Sequence, residues 1–192
     1  MNDQDILNFW FSPEHRSLWF AKSEDFDAKI RDQFTDVHRQ ATRAELWSWR
    51  KTPEGRLAEI IVLDQFSRNI YRDQPESFAY DGLALALSQE AISLQLDAQL
   101  NPEQRSFLYM PFMHSESKLI HEFALKLFQR LGNEINLSFE KKHKVIIDRF
   151  GRYPHRNAIL GRVSTPEETE FLLEPNSSFS DFSIFNADAS IL

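Results

Sequence analysis

Apolar residues recur along the chain at helical spacing. The clearest set follows at intervals of four, four, three and four residues and consists of Phe26, Ile30, Phe34, Val37 and Ala41. This spacing places all five side chains on one face of a helix. No segment alternates apolar and polar residues with a period of two between turn signals. The pattern therefore predicts an all-α protein.

Capping residues mark where several helices begin. Ser23 precedes two acidic residues, and three other starts share a capping residue followed by proline, at Thr52, Asn101 and Thr165. Proline is favoured at the first helical position because its missing N–H costs nothing there. The predicted helices after Ser23 lie near 53–67, 76–96, 102–110, 112–131, 138–150 and 166–173, and a short one at 4–11 is capped by Asp3.

Two residues are expected to set helix ends. Pro111 is predicted to divide one long helix into two, and Gly132 is predicted to stop the second of them. About eight helices with short connections predict antiparallel pairs, packed as a bundle or a short solenoid. We expect a single all-α domain over 1–174.

The last segment, 175–192, is predicted to be an acidic tail containing Phe and Ser. Phe179, Phe182 and Phe185 recur in it every three residues. We expect this stripe to dock on the chain's own body or on a second copy, which would make a homodimer through the C-terminal tail. The tail follows a basic segment, because 141–162 holds seven Lys or Arg against one acid and 163–192 holds six acids and no Lys or Arg.

Composition excludes several classes of function. The chain of 192 residues has no cysteine, so a disulfide framework, a thiolate zinc site and a cysteine nucleophile are excluded. The net charge of −7 argues against nonspecific nucleic-acid binding. No apolar run approaches the ~18 residues of a membrane helix, and the N-terminus does not resemble a signal peptide. We therefore expect a cytoplasmic protein without nucleic-acid or membrane partners.

An internal echo carries the most unusual chemistry. The pattern D-x-F-x-R-x-x-x-R occurs twice, from Asp64 through Arg68 to Arg72 and from Asp148 through Arg152 to Arg156. One interpretation is structural, with Asp and Arg forming ion pairs four residues apart on a helix. The other is that both ends converge and the arginines grip a phosphate or carboxylate, because guanidinium binds such groups at two points.

The predicted ligand-binding set consists of the residues of this echo and one neighbour: Asp64, Arg68, Arg72, Asp148, Arg152, Arg156 and Asn157.

Histidines supply the candidates for catalysis. His155 lies beside arginines that disfavour its protonation, so it could act as a neutral general base. His114 and Glu116 are predicted to open the helix after Pro111, where Glu116 could serve as an acid or orient a base. His121 lies seven residues after His114, about 10 Å along a helix, which is too far for one metal ion. The sequence predicts no metal site and no cofactor, since the nucleotide-binding glycine loops are absent.

Several blocks of residues carry a resemblance to a known family. They are Phe9-Trp10-Phe11, Trp19-Phe20, Phe26-Asp27, Leu63 to Asn69, Tyr71-Arg72, Pro111, His114-Ser115-Glu116, Phe150 to Asn157 and Leu160-Gly161-Arg162. From about Ile6 to Leu173 the chain resembles a bacterial protein family of unknown function that has a TPR-like all-α fold. The resemblance implies a right-handed helical array or bundle and offers no established catalytic residues, and the chain lacks the residue spacing of a tetratricopeptide repeat.

Three hypotheses about function follow. The first is a binding module whose Arg-rich pocket takes an anionic small molecule or an acidic peptide. The second is a hydrolase or transferase that uses His155 or His114 with Glu116 at the same site. The third is a protein–protein interaction scaffold without a small ligand, in which the polar motifs only fix helix ends.

Overall fold

A computed structural model of the chain describes residues 1–175 and 177–179. These residues form nine α-helices and no β-strand, which confirms the all-α prediction. The helices are α1 (Asp3–Trp10), α2 (Glu24–Thr42), α3 (Pro53–Ile61), α4 (Ser67–Ile70), α5 (Asp81–Ser93), α6 (Pro102–Met113), α7 (Lys118–Leu131), α8 (Glu134–Phe150) and α9 (Pro166–Leu172).

The capping predictions are confirmed at four helix starts. The side chains of Ser23, Thr52, Asn101 and Thr165 each accept a hydrogen bond from the backbone N–H three residues on. Helix α1 differs, because its cap is Asn2 and Asp3 is its first helical residue. These caps satisfy N–H groups that would otherwise lack a partner.

The prediction for Pro111 is wrong. Pro111 lies inside α6, which continues to Met113. The helical conformation is interrupted between His114 and Ser117 instead. Every side chain from Ser106 to Met113 is buried, so packing on all sides holds the helix through the missing backbone hydrogen bond. Gly132 ends α7 in the left-handed conformation, as predicted.

A π-helical turn joins α3 to α4. It spans Val62–Phe66, and all five of its residues are buried. Such turns add one residue to a helical turn and are frequent at functional sites. The predicted helix over 53–67 is therefore interrupted by a turn that the apolar spacing does not reveal.

Helix α3 lies at the centre of the packing and contacts α1, α5 and α6. Helices α6, α7 and α8 pack in chain order, and the two-residue link between α7 and α8 makes them antiparallel neighbours. A smaller apolar cluster lies at the far end of α8 and consists of Ile146, Ile147, Tyr153 and Phe171. The TPR-like right-handed arrangement and the boundary after residue 174 stay predictions.

The predicted tail falls mostly outside the described residues. Phe179 is described, whereas Phe182 and Phe185 lie outside, so the phenylalanine stripe and the homodimer through it stay predictions. Among the helices of the described ranges, none is long and apolar enough to cross a membrane.

Candidate functional site

A cavity of about 420 Å³ lies between the end of the α3–α4 segment and the turn that follows α8. Its polar lining comes from distant parts of the chain. Its apolar lining is largely aromatic and includes Trp19, Phe20, Phe78, Phe139 and Phe179 with Met110 and Met113. The polar side chains are Lys22, Gln65, Arg68, Asn69, Arg72, Asp73, Ser77, His114, His143, Tyr153, His155, Arg156 and Ser178.

Three of the four echo arginines line this cavity. They are Arg68 and Arg72 from the first copy and Arg156 from the second. The two copies are therefore brought together at their C-terminal ends, although 84 residues separate Arg72 from Arg156 in the sequence. Asp64 is fully buried behind the wall, where its carboxylate lies 3.3 Å from Nη1 of Arg68.

Asp81 joins the two copies. As the first residue of α5, it accepts two hydrogen bonds from Arg68, at 2.9 and 3.0 Å. It also accepts one from Nη1 of Arg156 at 3.3 Å. One carboxylate therefore serves two guanidinium groups, and the Nε of Arg156 has no hydrogen-bond partner in the described chain.

The guanidinium of Arg156 is enclosed by aromatic rings. Its Cζ atom lies 4.4 Å from the ring centre of Phe78 and 4.7 Å from that of Tyr153. Burial lowers the pKa of Arg156, and the carboxylate of Asp81 opposes this effect. Cation–π contacts stabilise such a charge in part, but they do not supply a negative partner.

Arg72 is held by a carboxylate on another helix. Its Nε and Nη2 both donate to Asp27 of α2, and the Nη2–Oδ1 distance is 2.7 Å. Asn69 donates to the same carboxylate at 2.8 Å. The Arg72 side chain remains 29% exposed, so part of this cation faces the cavity or solvent.

The remaining residues of the second copy lie elsewhere. Asp148 binds Lys144 at 2.8 Å, and Arg152 makes two hydrogen bonds to Glu168 of α9, at 2.7 and 2.8 Å. The predicted pair between Asp148 and Arg152 does not form, because α8 ends at Phe150 and Gly151 turns the chain away in the left-handed conformation. These two side chains do not line the cavity.

Asn157 is also away from the cavity wall. It is buried and donates to Ser164 at 3.0 Å and to Glu168 at 3.2 Å, and its carbonyl oxygen accepts from Arg162 at 2.9 Å. Asn157 therefore fixes the loop that leads into α9. The structure therefore does not bring Asn157 to the cavity, and its role as a ligand contact stays a prediction.

Glu116 holds the turn after α8 in place. It binds Arg162 through two hydrogen bonds, at 2.8 and 2.9 Å, and accepts the backbone N–H of Tyr153 at 2.7 Å. The bonds to Arg162 and Tyr153 outweigh burial and lower the pKa of Glu116. The prediction that Glu116 opens a helix is wrong, because it lies in the connection before α7. Its role as an acid or an orienting group stays a prediction, and the lowered pKa favours the ionised form.

His114 forms a short hydrogen bond with the buried carboxylate of Asp64. It caps the end of α6, and its Nδ1 lies 2.6 Å from Oδ1 of Asp64. Burial and the nearby Arg68 lower the pKa of His114, although the Asp64 carboxylate opposes them. The imidazole is therefore neutral at physiological pH, with its Nδ1–H donating to Asp64.

Two further imidazoles line the cavity. Burial, followed by the charge of Arg156, lowers the pKa of His155 to about 3, and its Nδ1 has no hydrogen-bond partner among the described residues. Burial also holds the pKa of His143 well below 6.5, while its Nδ1 donates to the carbonyl of Phe139 at 2.8 Å. Both rings are therefore neutral.

His121 belongs to a separate buried pair. Its Nδ1 lies 2.7 Å from Glu140 of α8, and its Nε2 lies 2.7 Å from the carbonyl of Ser115. Across residues 1–175 and 177–179, no three His, Asp or Glu side chains converge closely enough to hold a metal ion.

Comparison with known proteins identifies the family of the chain. A family model described as a bacterial protein of unknown function, DUF924, matches residues 6–176. The chain belongs to the DUF924 family. This confirms the resemblance seen in the sequence. The chain is also similar to a solved structure of the protein of unknown function ATU0120 from Agrobacterium tumefaciens, with 39% identity and a TM-score of 0.85 over 90% of this chain and 97% of that one. No curated protein matches.

In this DUF924 chain, sequence reasoning missed the acids that organise the site. Asp27 and Asp81 each receive two hydrogen bonds from an echo arginine, but neither lies in the repeated pattern. Asp81 carried one signal, because an acid in the first turn of a helix is favoured by the helix dipole. That signal explains its position in α5 and does not reveal its partners 13 and 75 residues away.

Proposed function

We propose that this DUF924 protein binds a small organic anion that has an apolar or aromatic body. The carrying observation is the incomplete pairing of Arg156. This residue is 5% exposed and shares Asp81 with Arg68, and its Nε has no partner among the described residues. Because a buried charge that lacks part of its hydrogen bonds is costly, a ligand carboxylate or phosphate near Arg156 would stabilise the folded protein.

The other groups of the cavity favour the same type of ligand. Arg72 and Lys22 add positive charge at the rim, where Lys22 is 63% exposed in its ion pair with Asp73. Neutral His143 and His155 can accept or donate single hydrogen bonds. The carboxylates of Asp27 and Asp81 hold the arginines in fixed positions, which reduces the entropy that a ligand must overcome.

The size and walls of the cavity favour a small molecule over an acidic peptide. A volume of about 420 Å³ lies in the range of small-ligand pockets, which run from roughly 300 to 1,000 Å³. Rings such as Phe78 and Phe139 would contact an apolar body. The polar groups converge on one enclosed place and do not follow an extended groove, as a peptide would require.

Thermal unfolding with matched ligands tests the proposal. We expect 3-phenylpropionate to raise the melting temperature more than its neutral amide, because only the acid supplies charge to Arg156, and more than propionate, which lacks the ring. A ligand that binds only the folded state must stabilise it. Arg156→Gln should remove most of the shift. Arg152→Gln is the control, because Arg152 is bound to Glu168 outside the cavity.

The result can also favour the alternatives. Equal shifts with the acid and the amide would contradict recognition of the anionic group. No shift with carboxylates or inorganic phosphate, together with unchanged ligand response in Arg156→Gln, would reject the pocket and favour the interaction scaffold.

A further inference from the structure

We propose that this cavity hydrolyses esters of small organic acids, and that His114, oriented by Asp64, is the general base of the reaction. The inference rests on the proposed binding function and adds a reaction to it. His114 lines the cavity, and its Nδ1 is bound to the fully buried carboxylate of Asp64 at 2.6 Å. Its Nε2 is therefore the nitrogen that remains for a reactant.

The carboxylate is fixed on both sides. Its Oδ2 accepts from the side-chain amide of Gln65 at 2.7 Å, while its Oδ1 lies 3.3 Å from Arg68. Arg68 also donates to the Asp64 backbone carbonyl at 2.8 Å. These contacts hold Asp64 in one orientation, so it fixes both the tautomer and the angle of the imidazole. In enzymes, a general base that a third group orients in this way activates the nucleophile.

The backbone contributes a second, independent observation. Asp64 and Gln65 lie in the π-helical turn Val62–Phe66, and such turns occur often at functional sites because they re-aim side chains. The turn lies at the heart of the core, where an unbroken α-helix would be expected. His114 comes from the end of a different helix, α6, so the π-helical turn and the end of α6 meet at the Asp64–His114 pair.

The protonation state suits a base. Burial and Arg68 keep the pKa of His114 low, so the ring is neutral before reaction and can accept a proton. Burial would raise the pKa of Asp64, but the charge of Arg68 and the hydrogen bonds from His114 and Gln65 lower it, so Asp64 stays ionised. The charged groups that face His114 are Asp64, Arg68 and Asp81, together with Arg156, which donates to its backbone carbonyl at 3.0 Å.

The proposed reaction balances without a cofactor. A water molecule gives one proton to Nε2 of His114, and its oxygen forms a bond to the ester carbonyl carbon. The bond from that carbon to the alcohol oxygen then breaks, and the imidazolium returns the proton to the leaving oxygen. The products are a carboxylic acid and an alcohol. Arg68, which shares Oδ1 of Asp64 with His114, would stabilise negative charge on the carbonyl oxygen.

Hydrolysis of 4-nitrophenyl hydrogen succinate by the full chain tests the inference. This ester combines a carboxylate with an aromatic ring. We expect a rate above the buffer reaction and faster turnover than with neutral 4-nitrophenyl acetate. His114→Gln should lower kcat by about 100-fold or more, the usual contribution of a general base. Free imidazole should restore part of the rate to His114→Ala, which a purely structural histidine would not allow.

His38→Gln is the matched control. His38 is also a histidine with a lowered pKa, but it is buried, binds Ser67 at 2.7 Å and does not line the cavity. Its kcat should stay close to that of the natural chain. Asp64→Asn tests the positioning role, because an amide no longer favours the Nδ1–H tautomer. It should lower kcat more than it changes KM and alter the dependence of kcat on pH.

Binding is measured separately with N-(4-nitrophenyl)succinamic acid, the amide analogue of the ester. Hydrolysis that falls in His114→Gln while the analogue still binds supports the inference. If the natural chain binds the analogue but does not hydrolyse the ester above the buffer rate, the catalytic role is rejected and the binding function stands. If hydrolysis is unchanged in His114→Gln, His114 is not the base. If neither ester nor analogue is bound, both proposals fail.

Discussion

The ring of Phe179 lies parallel to the imidazole of His143, with 3.6 Å between the ring centres and 7° between the planes. Phe179 also contacts the edges of Tyr153 and His155. The chain therefore returns from α9 to the cavity, and an aromatic side chain from near its C-terminus forms part of the wall. The ring of Phe179 therefore lies against two of the three cavity histidines.

Replacing Phe179 by alanine should open the cavity. One aromatic pair contributes about 0.5–1.5 kcal/mol. Without this pair, the segment that carries residue 179 should leave the cavity roughly threefold to tenfold more often. We expect the association rate of 3-phenylpropionate, measured by stopped-flow fluorescence of the tryptophans, to rise by a similar factor. Truncation after Leu173 should act in the same direction.

Phe123→Ala is the control for this prediction. Phe123 is 50% exposed on α7 and does not line the cavity, so its replacement should leave the association rate unchanged. A lower rate or weaker binding in Phe179→Ala would show that the ring belongs to the binding surface and does not cover it.

Asp27→Asn should destabilise the fold. Asp27 is 3% exposed and accepts two bonds from Arg72 and one from Asn69, which ties α2 to the end of α4. Removing one partner of a buried pair leaves the other charge uncompensated, at a cost of about 3 kcal/mol. Urea unfolding measures this loss. Asp36→Asn is the control, because its pair with Arg39 is exposed and should contribute less than about 0.5 kcal/mol.

The free energy of unfolding should fall as the pH decreases from 6.5 to 4. Burial lowers the pKa of His38 from 6.5 to about 4, so in this range the unfolded chain binds a proton that the folded chain does not. Stability then decreases with decreasing pH. Over this interval one histidine contributes about 2 to 3 kcal/mol.

Urea titrations at several pH values check this sign. In His38→Gln the fall between pH 6.5 and 4 should be smaller by that amount. The same sign applies to His155, whose pKa is about 3, so part of the fall should persist in the variant. An identical pH dependence in the natural chain and in His38→Gln would contradict the prediction.

Glu116→Gln separates a structural role from a catalytic one. The change weakens two bonds to Arg162 and the bond from the Tyr153 backbone, and it should lower the free energy of unfolding by about 2 kcal/mol. We expect kcat for ester hydrolysis to stay nearly constant. Glu167→Gln is the control, since its pair with Arg149 is exposed. A large loss of kcat without loss of stability would restore Glu116 as a catalytic candidate.

The sequence could predict those features of the fold that depend on residues close together in the chain. A capping side chain and its N–H lie three residues apart, so Thr52, Asn101 and Thr165 could be recognised from sequence. The prediction at Pro111 failed because the burial of its neighbours outweighs the helix-breaking preference of proline. Only the tertiary structure reveals that burial.

The site was predictable only in part. The repeated pattern pointed to Arg68, Arg72 and Arg156, which line one cavity, but it also pointed to Arg152 and Asp148, which do not. The two copies diverge because the first continues as a helix after its phenylalanine, whereas the second meets Gly151. The pattern that the two copies share could not show this difference in backbone conformation.

The π-helical turn at Val62–Phe66 makes the cavity sensitive to the length of the chain. Each residue of a helix advances it by about 100°, so the additional residue in this turn sets the direction in which everything after it points. Loss of a single residue there would let α3 continue regularly into α4 and would rotate Arg68 and Arg72 away from Asp81 and Asp27. In a family alignment, insertions and deletions should therefore be rarer between 62 and 66 than the substitution rate of the same positions suggests.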